Sequence, residues 1–214
     1  MNLPPLKDII AKHGLSSRKS LGQHFLLDSA ITNKIALCAG DLKNYNVIEI
    51  GSGPGGLTRS LLSAGAKSLT VVEMDVRCIA IIDELKALMD DSSRLTVIHD
   101  DALKINLLEI VAAPRKIVAN LPYNVGTQLL INWLDDIAVY GAGAYSSLTL
   151  MFQDEVARRV IAEPDSGEYG RLSVISQFLC ECRYDFILPP EVFLPPPKVT
   201  SAVITLIPRP RPLF

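Results

Sequence analysis

The run Val47-Ile48-Glu49-Ile50-Gly51-Ser52-Gly53-Pro54-Gly55-Gly56 constrains the fold more than any other part of the chain. A mostly apolar segment breaks abruptly into glycines. The apolar part reads as a buried strand, and the glycines read as a turn that lets backbone approach a ligand. A strand, a glycine turn and a following helix form the opening unit of an α/β sheet with ligands at its carboxyl edge. Two patterns overlap in the turn. Gly51, Gly53 and Gly56 satisfy G-x-G-x-x-G, the dinucleotide fingerprint. Gly51, Gly53 and Gly55 satisfy G-x-G-x-G, the turn that methyltransferases use for S-adenosylmethionine. These ten residues leave both ligands open.

The rest of the chain repeats the strand–helix alternation. Asp28 is placed to cap a helix from Ser29 to Ala39. NVIEI is the first sheet strand, and Thr58 to Ala64 continues as a helix ended by Gly65. SLTVVEMD, LTVIHDDA, KIVANLPYN and SLTLMF read as further strands. Between them, VRCIAIIDELKALMDD has helical period, with Ile79, Ile82, Leu85 and Leu88 or Met89 on one face. TQLLINWLDDI, QDEVARRVIA and LSVISQFLCEC also read as helices, and RYDFIL and SAVITLI as a last strand pair around a Pro-rich loop. Strands apolar on both faces belong to a parallel sheet covered on both sides. The expectation is an α/β, Rossmann-like sheet of the class I methyltransferase type. It is mostly parallel, carries helices on both faces and ends in a C-terminal antiparallel hairpin.

At 214 residues with 49% hydrophobic content, the chain has material for one domain or slightly more. A net charge of −2 does not carry the usual footprint of a nucleic-acid binder. Charge is uneven, however: residues 1–24 hold Lys7, Lys12, Arg18 and Lys19 against Asp8 alone. Residues 1–27 therefore read as a basic arm, and 28–207 as the main domain. Cys38, Cys78, Cys180 and Cys182 show no metal-ligand spacing, so no metal is expected and the thiols are expected reduced. No run is long enough to span a membrane, and no secretory signal is recognisable. A monomer in the cytoplasm, with no membrane contact, is the expectation.

The strand ends are rich in chemistry. Glu73 and Asp75 follow the second sheet strand, Asp100 and Asp101 the third, and Asn120-Leu121-Pro122-Tyr123 the fourth. A carboxylate about 20 residues beyond the glycines accepts ribose hydroxyls in either ligand class. Asp101 separates the two, because a carboxylate there suits an exocyclic amine such as adenine N6 and has no part in the dinucleotide fingerprint. Pro122 ends its strand and holds Leu121 extended. Asn120 presents an amide at the strand tip, and the Leu121 carbonyl adds an acceptor for the protons of an amine. Tyr123 offers a face on which a base can stack.

Taken in order, these segments resemble the ribosomal RNA adenine dimethyltransferases, which modify two adjacent adenines near the 3′ end of small-subunit rRNA. The likeness rests on RKSLGQHFLLD (18–28), VIEIGSGPGGLT (47–58), VVEMD (71–75), HDDAL (99–103) and ANLPYN (119–124). It continues through FQDEVARR (152–159), YGRLSV (169–174) and VFLPPPKVTSAV (192–203). The resemblance implies S-adenosylmethionine as cofactor, held by His24, Leu26, Gly51, Gly53, Glu73, Asp101 and Asn120. It implies that Asn120, Leu121 and Pro122 aim the target amine, with Tyr123 and Phe193 sandwiching the flipped adenine. His24 departs from the Asn common in the family, though either side chain can donate a hydrogen bond. Arg158, Arg159 and Lys198 are the implied RNA contacts, and the small ribosomal subunit or its rRNA the implied partner. The family continues into a helical C-terminal domain, whereas 208–214 would be only its start, so weaker rRNA binding is expected of this chain. Two further functions share parts of the pattern: a non-catalytic relative that acts by binding, and a dehydrogenase resting on Gly51, Gly53 and Gly56 alone.

Overall fold

The computed structural model describes residues 4–17 and 22–212. In chain order the elements are α1 (Leu6–Lys12), β1 (Phe25–Leu26), α2 (Ser29–Cys38), β2 (Asn46–Ile50), α3 (Gly56–Ser63), β3 (Ser68–Glu73) and α4 (Val76–Ala87). Then come β4 (Leu95–His99), α5 (Leu107–Ile110), β5 (Arg115–Asn120), α6 (Gly126–Tyr140), β6 (Ser147–Gln153) and α7 (Asp154–Ile161). α8 (Arg171–Leu179), β7 (Cys180–Leu188), β8 (Phe193–Leu194) and β9 (Ser201–Pro208) complete the chain.

The main sheet runs β4-β3-β2-β5-β6-β9-β7. Strands β2 to β6 are parallel, and β9 lies antiparallel between β6 and β7. This is the α/β sheet with a terminal hairpin expected from the sequence. The chain steps outward from β2 to β4, then returns to place β5 on the other side of β2. That reversal opens a crevice at the carboxyl ends of β2 and β5, where ligands of such sheets bind.

Alternation along each strand feeds two cores. Ile48, Val72, Ile117, Leu150 and Ile204 point to the face covered by α6 and α8. Val47, Val71, Val118, Met151 and Val203 point to the face that holds α2, α3 and α4. A third cluster joins Ile9, Leu15 and Phe25 from the N-terminal segment to Cys78 and Ile81 of α4. Lys12 and His13 both reach Glu84 of α4, at 2.6 and 2.8 Å. Lys12, one of the basic residues of the arm, is thus engaged with the protein itself.

Asp28 caps α2 as expected, accepting the Ala30 N–H at 2.8 Å. Three details differ from the sequence reading. The helix expected over 172–182 stops at Leu179, and Cys180–Cys182 open β7 instead, because β9 supplies a pairing edge that no local pattern announces. The buried face of α4 is Cys78, Ile81, Ile82 and Leu85, with Met89 beyond it, while Leu88 is exposed. α1 lies inside the basic arm, held by burial of Leu6 and Ile9 rather than by a strong helical pattern. No disulfide joins the described cysteines.

Candidate functional site

A cavity of about 240 Å³ opens at the carboxyl ends of the parallel strands. The glycine turn forms one wall. Gly51 and Gly53 both have φ in the left-handed region, +71° and +52°, which side chains other than glycine rarely adopt. Gly53 has a second constraint, since a Cβ there would stand 2.9 Å from the Phe25 ring. A Cβ on Gly56, the first residue of α3, would collide with the Leu26 carbonyl. The third glycine of the apparent dinucleotide pattern is therefore a packing requirement of the N-terminal segment.

Glu73 stands at the tip of β3, 6% exposed. Its Oε2 accepts the Gly53 N–H at 3.0 Å, and its Oε1 accepts the N–H groups of Met74 and Asp75 at 2.9 Å each. Burial raises its carboxyl above the usual range, and these donors pull it back. Both lone pairs of Oε1 are thus engaged, and Oε2 is the oxygen that can accept from a ligand hydroxyl. Asp75 caps α4 and is held at about 2 by hydrogen bonds from Arg77, with Gln23 adding another. Asp100 and Asp101 line the next sector, with Asp101 Oδ1 accepting the Leu103 N–H at 3.0 Å.

Opposite them, Asn120, Leu121, Pro122 and Tyr123 form the β5 side. α6 starts directly after them, with the N–H groups of Val125 and Gly126 on the Pro122 carbonyl. Pro122 packs against the glycine turn, 3.5 Å from where a Gly51 Cβ would lie. Asn120 donates its side-chain N–H to the His24 carbonyl at 3.1 Å, which leaves its Oδ1 for another partner. The Tyr123 hydroxyl meets Ser201 Oγ at 2.5 Å, and its ring stacks on His24 with centroids 5.4 Å apart. His24 is tied in turn to the Pro195 carbonyl through Nδ1, at 2.8 Å. Since that carbonyl only accepts, Nδ1 carries the proton.

The sequence-derived cofactor set, His24, Leu26, Gly51, Gly53, Glu73, Asp101 and Asn120, thus converges on one cavity with Leu121, Pro122 and Tyr123. Phe193 does not join them. It is 3% exposed and packs in the core beside Leu26, its strand partner. Alternation along β8 turns Phe193 inward and leaves Leu194 exposed, so the expected second wall of an aromatic sandwich is absent from this arrangement. Arg158, Arg159 and Lys198 lie away from the cavity lining. Arg158 is paired with Asp154 at 2.8 Å, while Arg159 and Lys198 are exposed. Of the segment 18–28, residues 18–21, including Arg18 and Lys19, lie outside the described residues.

Glu49 is the residue that sequence reasoning passed over. It is the penultimate residue of β2, 1% exposed, and lines the same cavity. The signal was present as an acidic residue inside an apolar strand. The described lining holds the acidic side chains of Glu73, Asp100 and Asp101 beside the carboxyl group of Glu49, and neither lysine nor arginine. Such a wall repels a pyrophosphate and attracts a cation. A cofactor with a sulfonium and an ammonium fits it, and the geometry removes the main support for the dehydrogenase alternative.

Comparison with known proteins agrees. A protein of Jannaschia sp. (strain CCS1) named ribosomal RNA small subunit methyltransferase A is 53% identical over 211 residues, spanning 98% of this chain and 72% of that protein. The crystal structure of a dimethyladenosine transferase from Plasmodium falciparum matches with a TM-score of 0.75 and 29% identity, over 87% of this chain and 64% of that one. The 23S rRNA methyltransferase ErmE matches with a TM-score of 0.72 and 28% identity, over 89% and 72%. The family model described as ribosomal RNA adenine dimethylase matches residues 14–213, and the chain belongs to that family.

Proposed function

We propose that this chain uses S-adenosylmethionine to dimethylate N6 of two adjacent adenosines in the 3′-terminal hairpin of small-subunit rRNA, as a step in ribosome biogenesis. The observation that carries the reading is the meeting of Asn120-Leu121-Pro122-Tyr123 with an acidic cavity at the sheet reversal whose described lining holds neither lysine nor arginine. The names of relatives about half identical to this chain favour the small-subunit substrate over the 23S rRNA of ErmE.

When bound, the cofactor supplies a methyl group on a positively charged sulfur. Glu73 would take the ribose hydroxyls and Asp101 the adenine amine, while Gly51 and Gly53 let backbone approach the methionine end. Asn120 Oδ1 and the Leu121 carbonyl would accept the two protons of the target amine and fix its lone pair toward the methyl group. Tyr123 supplies a stacking face for the flipped base once His24 yields it. No general base is needed if the proton leaves after transfer, so positioning provides most of the rate. Arg159, exposed on α7, and Lys198, exposed in the loop between β8 and β9, would contact RNA phosphate, with Arg158 joining if it leaves Asp154. The reading includes a monomer acting in the cytoplasm; no described helix is long and apolar enough to cross a membrane.

The test uses small subunits that lack the modification, methyl-labelled cofactor and mapping of the labelled adenines. The expected result is two labelled neighbours near the 3′ end. Asn120→Ala should lower transfer by roughly a hundredfold or more, with cofactor affinity kept within several-fold. Full transfer by that variant, or label confined to the large subunit, would overturn the reading.

A further inference from the structure

Glu49 has a place in the cavity and no task in the mechanism above. It accepts the Thr58 hydroxyl at 2.6 Å. Among the described residues no lysine, arginine or histidine forms an ion pair with it. Val71 of β3 lies beside it in the sheet, and its face is otherwise an apolar cluster that includes Val47, Leu61 and Ile82. The charged group that acts on it is Glu73, of the same sign. The other titratable groups of the described lining are His24, Asp100, Asp101 and Tyr123, and the His24 ring is engaged by Pro195 and Tyr123. A carboxyl group so placed has lost water and gained no counter-charge, which favours its neutral form.

We propose that Glu49 senses the charge of the cofactor: it yields its proton to solvent when the sulfonium form enters and takes one back once the methyl group has left. The cavity thereby holds S-adenosylmethionine more tightly than the neutral thioether product. This rests on the cofactor reading above. Burial raises the Glu49 carboxyl to about 8, so the empty cavity keeps the proton at neutral pH. The fixed positive charge of a sulfonium reverses that preference, and the thioether does not. Atoms and charge balance. Methyl transfer breaks the S–CH₃ bond, forms an N–CH₃ bond and frees one proton from the methylated amine. Glu49 takes up one proton over the same interval and returns it to solvent when the next sulfonium binds.

The affinity for the sulfonium form should then rise with pH below about 8, by up to tenfold per unit, and the affinity for the thioether should stay flat. Calorimetric titration at roughly neutral pH, in buffers of different ionisation enthalpy, counts the protons directly. Binding of S-adenosylmethionine should release close to one proton, and S-adenosylhomocysteine close to none. Glu49→Gln, which retains an acceptor for Thr58, should abolish the release and lower the ratio of the two affinities about tenfold. The amine of the ligand titrates alike in both proteins, so the difference between them isolates Glu49. If the variant does not fold, the pH series on the unaltered chain decides, because the release must fade above about pH 8. Equal release with both ligands, or release that persists in Glu49→Gln, overturns the proposal. Failure of S-adenosylmethionine to bind at all overturns the cofactor reading itself.

Discussion

Glu73 at the tip of β3 and Glu49 inside β2 line one cavity, and both are almost fully buried. Glu73 accepts three backbone N–H groups, from Gly53, Met74 and Asp75. Among the described residues, Glu49 receives its hydrogen bonds from Thr58 alone. Burial pushes both carboxyls up, and the extra donors at the strand tip offset much of that push at Glu73. A strand end offers unpaired N–H groups, whereas a strand interior has committed its own to the sheet ladder. Position along the strand thus makes one carboxylate a fixed acceptor and leaves the other able to change charge.

The contrast can be broken most severely at Glu73. Glu73→Ala leaves three N–H groups without their acceptor, at about 1–3 kcal/mol each. The expected result is a loss of about 4 kcal/mol in denaturant unfolding, together with loss of cofactor binding in calorimetry. A smaller effect of opposite sign is expected at Glu49. Its carboxyl lies above its ordinary value of 4.5, at about 8, so the folded state binds the proton more strongly between those limits. The unaltered chain therefore loses stability as pH climbs through that window, and the loss is complete above about 8. Glu49→Gln does not titrate, so its advantage in unfolding experiments should grow across the window. Equal pH profiles for the two proteins would remove the contrast.

The smallest effect concerns Asp75, just beyond Glu73. Hydrogen bonds from Arg77 hold its carboxyl at about 2 instead of the ordinary 3.8. That stability is present above 3.8 and is lost as pH falls through about 2. Arg77→Ala should lower stability at neutral pH slightly and flatten the acid side of the profile. A melting series from acid to neutral pH checks both.

Much of this was legible in the sequence where the local signal matched the tertiary outcome. The parallel strands were readable because β-branched and apolar residues fill both faces, and the glycine turn because left-handed backbone has few other solutions. Asp28 announced a cap and became one. The misses have a common source in long-range pairing. Cys180 to Cys182 carry no local mark of a strand, and only β9 makes them one. Phe193 was expected at the site through the family resemblance alone, and pairing of β8 with β1 sets which way it faces. Glu49 stayed unnoticed because an acidic residue in an apolar run is informative only once its neighbours are known. The His24–Tyr123 stack joins residues 99 apart in sequence and had no local signature at all.

The edge strand β7 carries a consequence for solution behaviour. Its pairing with β9 slips by one residue between Tyr184 and Phe186, so Asp185 is the extra residue of a bulge. The Asp185 side chain turns in to accept the Thr205 hydroxyl at 2.6 Å and the Arg183 guanidinium at 2.5 Å. A bulged edge with an inward charge is a poor template for another strand. Partly crowded or concentrated chains should therefore fail to zip together along this side of the sheet, and Asp185 acts as a guard against fibre-like association.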